Sequence, residues 1–394
     1  MRIALSMLLL AGCLPDTSSF REGAGDGSVD DAGPLADGAA LDAPLADGAI
    51  ADAGTDFGPP EPDDCLPEPT CPAGCPMPWL LVAIEDLPGG RDCGGRILRM
   101  SVAETDAPCI CHGYDAAGAV PDLPFAVGFV PPKTIVTASE DGTILAIDAD
   151  TDRAIWQEPS SEQPGDLFVV HGTDGEPLVA HATRPRGSGA IRQVRFYDAA
   201  TGGDPTVRMT NGDLPVGLGV LSMTQSTLDP MTFRVVDPNN YAAADVNPWT
   251  DTRIEPAYTA SRSGHFVQDI YAAYVDGRHR TVWTGTRSDL PDSPARVWEI
   301  NEATGAADLR LGPGNHCAEL DDGGDYDVDC TYLHAVPDPT VFNQTLVLCD
   351  FIDGRRITRL RATDSCLDVF DEGELFDSAR IARLALALPT YWAP

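Results

Sequence analysis

The chain has 394 residues and a formal net charge of −35 at pH 7, which arises from 61 acidic and 26 basic side chains. A surface this acidic repels the phosphate backbone of nucleic acids and the anionic headgroups of lipids. The composition therefore argues against nucleic-acid binding and against membrane attachment through a basic patch. The length suits one large domain with a tail, or two domains.

The N-terminus has the layout of a secretory signal. Arg2 precedes a short apolar run, residues 3–10, which is too short to span a bilayer as a mature helix. The run ends in Leu10-Ala11-Gly12-Cys13, with small residues directly before a cysteine. This ending resembles the lipobox of bacterial lipoproteins.

The resemblance implies that residues 1–12 are a signal peptide and that the mature chain begins at Cys13. Cys13 would then carry the acyl chains that anchor the protein in a membrane. Leu14 stands where many inner-membrane lipoproteins have Asp, which implies the outer membrane or the cell surface of a bacterium. The alternative is an ordinary signal peptide followed by an unmodified cysteine.

Residues 13–64 are predicted to be a disordered tether. The stretch from Asp16 to Asp64 contains 13 acidic residues and one basic residue, and it repeats Pro-Leu-Ala-Asp-Gly-Ala at 34–39 and 44–49. Such a segment buries too little apolar area to offset the entropy of ordering the chain. A calcium-binding Asp/Gly repeat is disfavoured because the Gly-Gly-x-Gly-x-Asp spacing is missing.

Ten cysteines remain once Cys13 is assigned to lipid, and an exported chain is expected to pair them as disulfides. Residues 65–78 form a collar rich in cysteine and proline. Its Cys71-x3-Cys75 spacing also fits zinc, but oxidation outcompetes metal outside the cytoplasm. The disulfide candidates are Cys65, Cys71, Cys75, Cys93, Cys109, Cys111, Cys317, Cys330, Cys349 and Cys366.

From Trp79 onward, short apolar runs alternate with turn sequences. Residues 134–148 predict two strands around Asp141-Gly142, a pair that supplies the positive φ angles of a tight hairpin. Strands ending in Asp-x-x-Thr or Asn-x-x-Thr then recur, at residues 148–151, 198–201 and 301–304. A repeat of about 50 residues with four short strands is typical of a β-propeller.

The stretch from Val136 to Trp156 resembles the repeats of WD-, PQQ- and NHL-type propellers. We therefore expect an all-β fold over residues 79–394, a six-bladed propeller, with seven blades as the alternative. The first blade shows three strands (79–84, 95–102 and 108–112), and residues 380–388 are expected to supply the fourth. A C-terminal helix is the competing interpretation. The other blades are expected at 125–157, 167–210, 216–257, 265–311 and 331–370.

The sequence contains no catalytic signature of the zinc-protease, serine-hydrolase or phosphate-loop type. Its strongest candidate for a cofactor site is a calcium loop between Cys317 and Cys330. This loop lacks the EF-hand pattern, so a solvated acidic insertion is the favoured alternative. The candidate ligands are Glu319, Asp321, Asp322, Asp325, Asp327 and Asp329. The alternating carboxylates from Asp148 to Asp152 are interpreted as the turn after a blade's third strand, because Arg153 stands where a calcium loop needs Gly.

The four late cysteines allow three pairings. Cys349 and Cys366 are expected at opposite ends of one blade, beyond disulfide reach. Cys330 is expected to begin the first strand of that blade and Cys349 to end the second, which would make them antiparallel neighbours. We therefore predict Cys330–Cys349, which leaves Cys317–Cys366.

Three functions remain open from the sequence. The first is a lipid-anchored binding module whose loops take up a protein, a glycan or a small molecule. The second is an enzyme, because the propellers that the chain resembles include lactonases, sugar dehydrogenases and glycosidases that use a metal or a quinone. The third is a structural surface component.

Overall fold

The computed structural model describes residues 69–71, 74–86, 95–103, 109–114, 124–139, 142–159, 163–184, 193–203, 208–210, 222–227, 229–237, 242–250, 252–254, 265–275, 277–287, 296–300, 307–311, 333–340, 344–351, 354–363, 366–374 and 379–390. All of them belong to one compact unit, Glu61–Pro394. Among these residues there is no helix long and apolar enough to cross a bilayer.

Every regular element of the described residues is a β-strand, and the strands form six four-stranded sheets. The first sheet contains β1 (Trp79–Asp86), β2 (Arg96–Ser101), β3 (Cys109–Tyr114) and the last strand of the chain, β24 (Ala379–Ala387). The second and third sheets contain β4 (Pro124–Val130), β5 (Thr134–Ser139), β6 (Ile144–Asp148), β7 (Arg153–Glu158), β8 (Gln163–His171), β9 (Pro177–Arg184), β10 (Gln193–Asp198) and β11 (Arg208–Thr210). The fourth sheet contains β12 (Ser222–Gln225), β13 (Phe233–Asp237), β14 (Ala242–Asn247) and β15 (Thr252–Ile254). The last two contain β16 (His265–Val275), β17 (Arg278–Arg287), β18 (Arg296–Ile300), β19 (Ala307–Leu311), β20 (Leu333–Pro337), β21 (Gln344–Phe351), β22 (Gly354–Thr363) and β23 (Cys366–Glu374).

One strand of each sheet lies at the centre of the molecule. These inner strands contact one another in the order β24, β4, β8, β12, β16 and β20, and β20 contacts β24 again. Small antiparallel sheets around a closed ring of inner strands define a β-propeller. The all-β propeller fold predicted from the sequence is thereby confirmed.

The chain end closes the ring. β24 pairs antiparallel with β1, from Trp79 opposite Ala387 to Asp86 opposite Ala379. The extended interpretation of this segment is confirmed and the helical one is wrong. The pairing removes an exposed edge of the first sheet, which would otherwise be a template for aggregation.

The apolar core lies between neighbouring sheets. At the junction of the first and last sheets, Leu80 and Leu384 pack in one cluster with Val336 and Leu346. Period-2 alternation explains the arrangement, because each strand directs successive side chains toward the sheets on its two sides.

The turn after the third strand of a sheet makes hydrogen bonds to the preceding sheet. Asp148 Oδ1 accepts hydrogen bonds from the backbone N–H groups of Asp150 (3.0 Å) and Thr151 (3.1 Å), as expected for an Asp turn. The carbonyl of Ala149 then accepts from the hydroxyl of Tyr114 in β3, at 2.9 Å. Burial raises the pKa of Tyr114, so this hydroxyl stays a donor.

The same contact recurs one sheet later. Asp198 Oδ1 accepts from the backbone N–H of Thr201 at 2.8 Å, and the carbonyl of Ala199 accepts from Trp156 Nε1 at 3.0 Å. Both Asp-x-x-Thr turns therefore accept a hydrogen bond from an aromatic side chain on the outer strand of the sheet before them.

Candidate functional site

The end of the ring at which the inner strands begin is called the upper end here, and the other the lower end. Near the upper end, four inner strands carry a register shift of the kind produced by a β-bulge. The shifts fall at residue 125 in β4, residues 165–166 in β8, residue 268 in β16 and residue 382 in β24. Bulges redirect side chains and are frequent at barrel rims and beside active sites, which makes the upper end the candidate site.

Asp166 is the carboxylate that the bulge of β8 places inside the ring. It is 1% exposed, and its Oδ2 accepts a hydrogen bond from the backbone N–H of Met223 at 2.7 Å. Its Oδ1 lies 2.5 Å from a guanidinium nitrogen of Arg383. Because β4 separates β24 from β8 in the ring, this ion pair spans two non-adjacent inner strands. One carboxylate thus ties β8, β12 and β24 together.

Gly165 makes the bulge possible. A Cβ atom at this position would lie 2.8 Å from the carbonyl oxygen of Ala182, closer than real Cβ atoms approach backbone. The bulged backbone of β8 therefore packs directly on β9, and Asp166 is held at a fixed position.

His181 lies next to this region on β9, opposite Leu167 and Arg195. It is fully buried, and burial together with the charge of Arg195 lowers its pKa to about 3. Its ring nitrogens have no hydrogen-bond partner among the described residues. A neutral, enclosed imidazole of this kind is unsuited to acid–base chemistry near pH 7.

At the lower end, buried charges join neighbouring sheets. Arg234 binds Asp245 through Nε (2.9 Å to Oδ1) and a terminal nitrogen (3.2 Å to Oδ2), and it donates to Thr281 Oγ1 of the next sheet at 2.7 Å. Arg280 repeats this arrangement, with Glu299 at 2.8 Å and the carbonyl of Asp338 at 3.3 Å. Each arginine is already matched by a carboxylate, so these networks hold the fold together.

The cysteine collar lies on the outer strand of the first sheet. Cys71 is bonded to Cys109 and Cys75 to Cys111, which pairs four of the ten candidate cysteines. In the described part of the chain, Cys71, Cys75 and Cys111 are also the one group of potential metal ligands within 4.8 Å of one another, but all three sulfurs are already taken up in disulfides.

Several predicted sites lie outside the described residues. They are Cys13, Cys65, Cys93, Cys317, Cys330 and the six candidate calcium ligands, Glu319, Asp321, Asp322, Asp325, Asp327 and Asp329. In the sequence, the candidate ligands fall between β19 and β20.

The backbones of Cys349 and Cys366 are described, near the upper end of β21 and at the lower end of β23. They therefore lie at opposite ends of one sheet, as expected. The predicted pairs Cys330–Cys349 and Cys317–Cys366 stay predictions.

The alternating carboxylates from Asp148 to Asp152 form a turn, as interpreted from the sequence. Lys133 Nζ lies 2.6 Å from Asp148, and its hydrogen bond lowers the pKa of that carboxyl. Asp152 lies 2.7 Å from His112 Nε2 of the first sheet.

Sequence reasoning missed Asp166, Arg383 and one repeat of the turn. A Pro-Gly-Asp sequence inside a strand indicates a bulge, and Arg383 interrupts an apolar strand.

The missed turn begins at Asn247, whose Oδ1 accepts a hydrogen bond from the backbone N–H of Trp249 at 2.9 Å. It lies 49 residues after Asp198, where the period of the repeat places it.

Comparison with solved structures supports the fold. The chain is similar to one from a nidogen/laminin complex, with a TM-score of 0.53 and 10% identity over 79% of this chain and 99% of the other. It is also similar to a protein of unknown function from Bacteroides caccae (TM-score 0.47, 10% identity, 79% and 99% covered) and to the WD40 domain of Toxoplasma gondii coronin (0.42, 10%, 75% and 68%). No protein-family model and no curated protein sequence matches the chain. At such low identity the first similarity shows the fold alone.

Proposed function

We propose that this protein is a binding module that a lipid on Cys13 anchors at a bacterial cell envelope, and that its ligand docks at the upper end of the propeller. The observation that carries the proposal is the disulfide-fastened collar on the outer strand of the first sheet. Paired cysteines persist in oxidising compartments, in agreement with export.

The path of the collar supports the upper end as the docking surface. Cys71 lies beside β3, and the chain then reaches the lower end of the first sheet, where Trp79 begins β1. The chain therefore enters the first sheet at its outer strand and its lower end. The bulged inner strands lie at the opposite, upper end.

The buried charges favour binding over catalysis. Asp166 and Arg383 neutralise each other, and burial keeps the neighbouring His181 on β9 neutral. A general acid or base needs reach to a substrate proton and a pKa near the working pH, and the buried His181 meets neither requirement. The carboxylate of Asp166 is already bound by Arg383 and by the backbone N–H of Met223. A rigid mouth with fixed polar groups is typical of ligand recognition.

The anchor is tested by expressing the full chain in a Gram-negative host and partitioning membranes with a detergent that separates into two phases. We expect the wild type in the detergent phase with a lipid-sized mass increase on Cys13, and Cys13→Ser in the aqueous phase. Ser18→Ala, a small change in the same segment, is the matched control. An unmodified N-terminus on the wild type would refute the anchor.

The docking surface is tested by hydrogen–deuterium exchange of the full chain with solubilised peptidoglycan fragments, and separately with envelope polysaccharide. We expect slower exchange at the first residues of β8, β12 and β24 with one of these probes. Protection confined to the lower turns, such as residues 149–152, would contradict docking at the upper end. Turnover of either probe would favour the enzyme hypothesis instead.

A further inference from the structure

The two disulfides of the collar form a single cluster of sulfur atoms. The Sγ atoms of Cys71 and Cys111, which belong to different disulfides, are 3.4 Å apart. All four cysteines are half-buried, so a small reagent can reach the cluster from solvent. The contact brings a sulfur of one disulfide within reach of the other.

The backbone holds Cys71 between its two potential partners. The N–H groups of Thr70 and Cys71 both donate to the carbonyl of Ile110, at 2.9 and 3.0 Å, and Thr70 Oγ1 accepts from the Ile110 N–H at 2.9 Å. Cys109 and Cys111 flank Ile110 in β3, and the register shift that the strand makes against β2 falls at Cys111. None of these hydrogen bonds involves sulfur, so they persist when a disulfide opens.

We propose that this cluster is a thiol–disulfide exchange site, at which a dithiol reductant opens either disulfide and the chain then settles on a third pairing, Cys71–Cys111. If the reductant opens Cys75–Cys111, it is oxidised to its own disulfide and leaves two thiols. The Cys111 thiolate then attacks Cys71 Sγ, the Cys71–Cys111 bond forms, the Cys71–Cys109 bond breaks, and Cys109 departs as a thiolate that takes up a proton.

The second route ends at the same product. If the reductant opens Cys71–Cys109 instead, the Cys71 thiolate attacks Cys111 Sγ and Cys75 departs as the thiolate. Both routes consume one dithiol and leave Cys75 and Cys109 as thiols, because the two sulfurs in contact are Cys71 and Cys111.

The conformation of Cys75 favours this outcome. Its φ is +26°, in a region that residues with a side chain rarely adopt, and its disulfide helps to hold it there. Release of the sulfur lets this backbone relax. The carbonyl of Cys75 keeps its 3.0 Å hydrogen bond from Trp79 Nε1, so the collar stays in place.

The consequence is a redox-responsive site at which the collar stays covalently attached to β3. One covalent link to β3 remains at every step, while two thiols become available to oxidants or to a dithiol protein. This chemistry goes beyond the proposed binding function and stands or falls separately from it.

The test is limited reduction of the oxidised full chain with one equivalent of dithiothreitol at pH about 8.5, where an ordinary thiol is half ionised. Aliquots are quenched with N-ethylmaleimide over several hours and mapped by non-reducing peptide mass spectrometry. We expect label on Cys75 and Cys109 together, with a Cys71–Cys111 cross-linked peptide as the main product of the cluster. Lasting retention of Cys71–Cys109 or of Cys75–Cys111 beside a labelled second pair would overturn the proposal, and so would a cluster that does not react.

Two variants give an independent test without reductant. Cys75→Ala leaves Cys111 as a resident thiol, so we expect Cys71–Cys111 to predominate in this variant as well, with label mainly on Cys109. Cys111→Ala removes the attacking sulfur and is expected to retain Cys71–Cys109 alone. Label exclusively on Cys111 in Cys75→Ala would refute exchange, and near-ultraviolet circular dichroism checks that both variants stay folded.

Discussion

The buried ion pair between Arg234 and Asp245 gives the sharpest test of how the sheets are held together. Arg234 is 2% exposed and Asp245 is 6% exposed, and the carboxylate also accepts from Ser226 Oγ at 3.0 Å. The proposed change is Arg234→Met, which keeps the length and apolar volume of the side chain but removes the guanidinium from the carboxylate and from Thr281.

The expected loss follows from leaving a buried carboxylate without its cation. Breaking a buried ion pair on one side typically costs about 3–5 kcal/mol. An unfolding entropy of about 2 cal/mol/K per residue over a domain of this size converts that loss to a fall in Tm of about 5–7 °C.

The assay is thermal and chemical unfolding followed by circular dichroism, with two comparison proteins. The double variant Arg234→Met with Asp245→Leu removes both charges and is expected to recover most of the loss, since an apolar pair can replace a buried ion pair at little cost. Lys133→Met removes an exposed partner of Asp148 and is expected to change Tm within experimental error, because solvent screens that pair. The reasoning is refuted if Arg234→Met behaves like Lys133→Met, or if the double variant is as unstable as the single one.

Three further changes test other parts of the structure. Gly202→Ala is expected to lose about 2 kcal/mol or more in a denaturant titration, because φ is +76° and the new Cβ would lie 2.7 Å from the Trp156 ring. Gly203→Ala, where the nearest atom is 3.7 Å away, is the control, and equal losses would contradict the clash. Burial lowers the folded-state pKa of His181 to about 3, so the unfolded chain binds one more proton as the pH falls below about 6.5. The stability that this histidine contributes is complete above that pH and is lost toward pH 3, at up to about 1.4 kcal/mol per pH unit. Stability measured between pH 6 and pH 4 should therefore fall less steeply in His181→Leu, and an unchanged slope would refute the shift. Deletion of residues 379–394 removes β24 and opens the ring, so gel filtration should show aggregation; a monomer with the wild-type strand content would show that closure is dispensable.

The strands and turns were predictable because they depend on local chemistry. Gly142, with φ of +95°, follows β5 where the Asp-Gly sequence predicted a positive φ, and β16 to β19 fill the predicted range 265–311. The C-terminal strand was predictable from the alternation of Leu384, Leu386 and Leu388, and from the missing strand of the first sheet.

The candidate site was predictable only in part. A sequence shows that Asp166 follows Pro-Gly and that Arg383 interrupts an apolar strand, but the two residues are 217 positions apart. Their contact exists only because the closing strand places β24 two positions from β8 in the ring. Likewise, the even number of cysteines suggested disulfides, whereas the specific partners of Cys71 and Cys75 depend on how the collar lies against β3.

The class of fold, the repeat length, the turn chemistry and the acidic character of the chain follow from composition and from neighbouring residues, so they can be predicted from a sequence. The pairing of buried charges, the covering of strand edges and the contacts between sulfur atoms arise only when the chain has folded. Those outcomes depend on closure of the ring, which brings together residues that share no local signal.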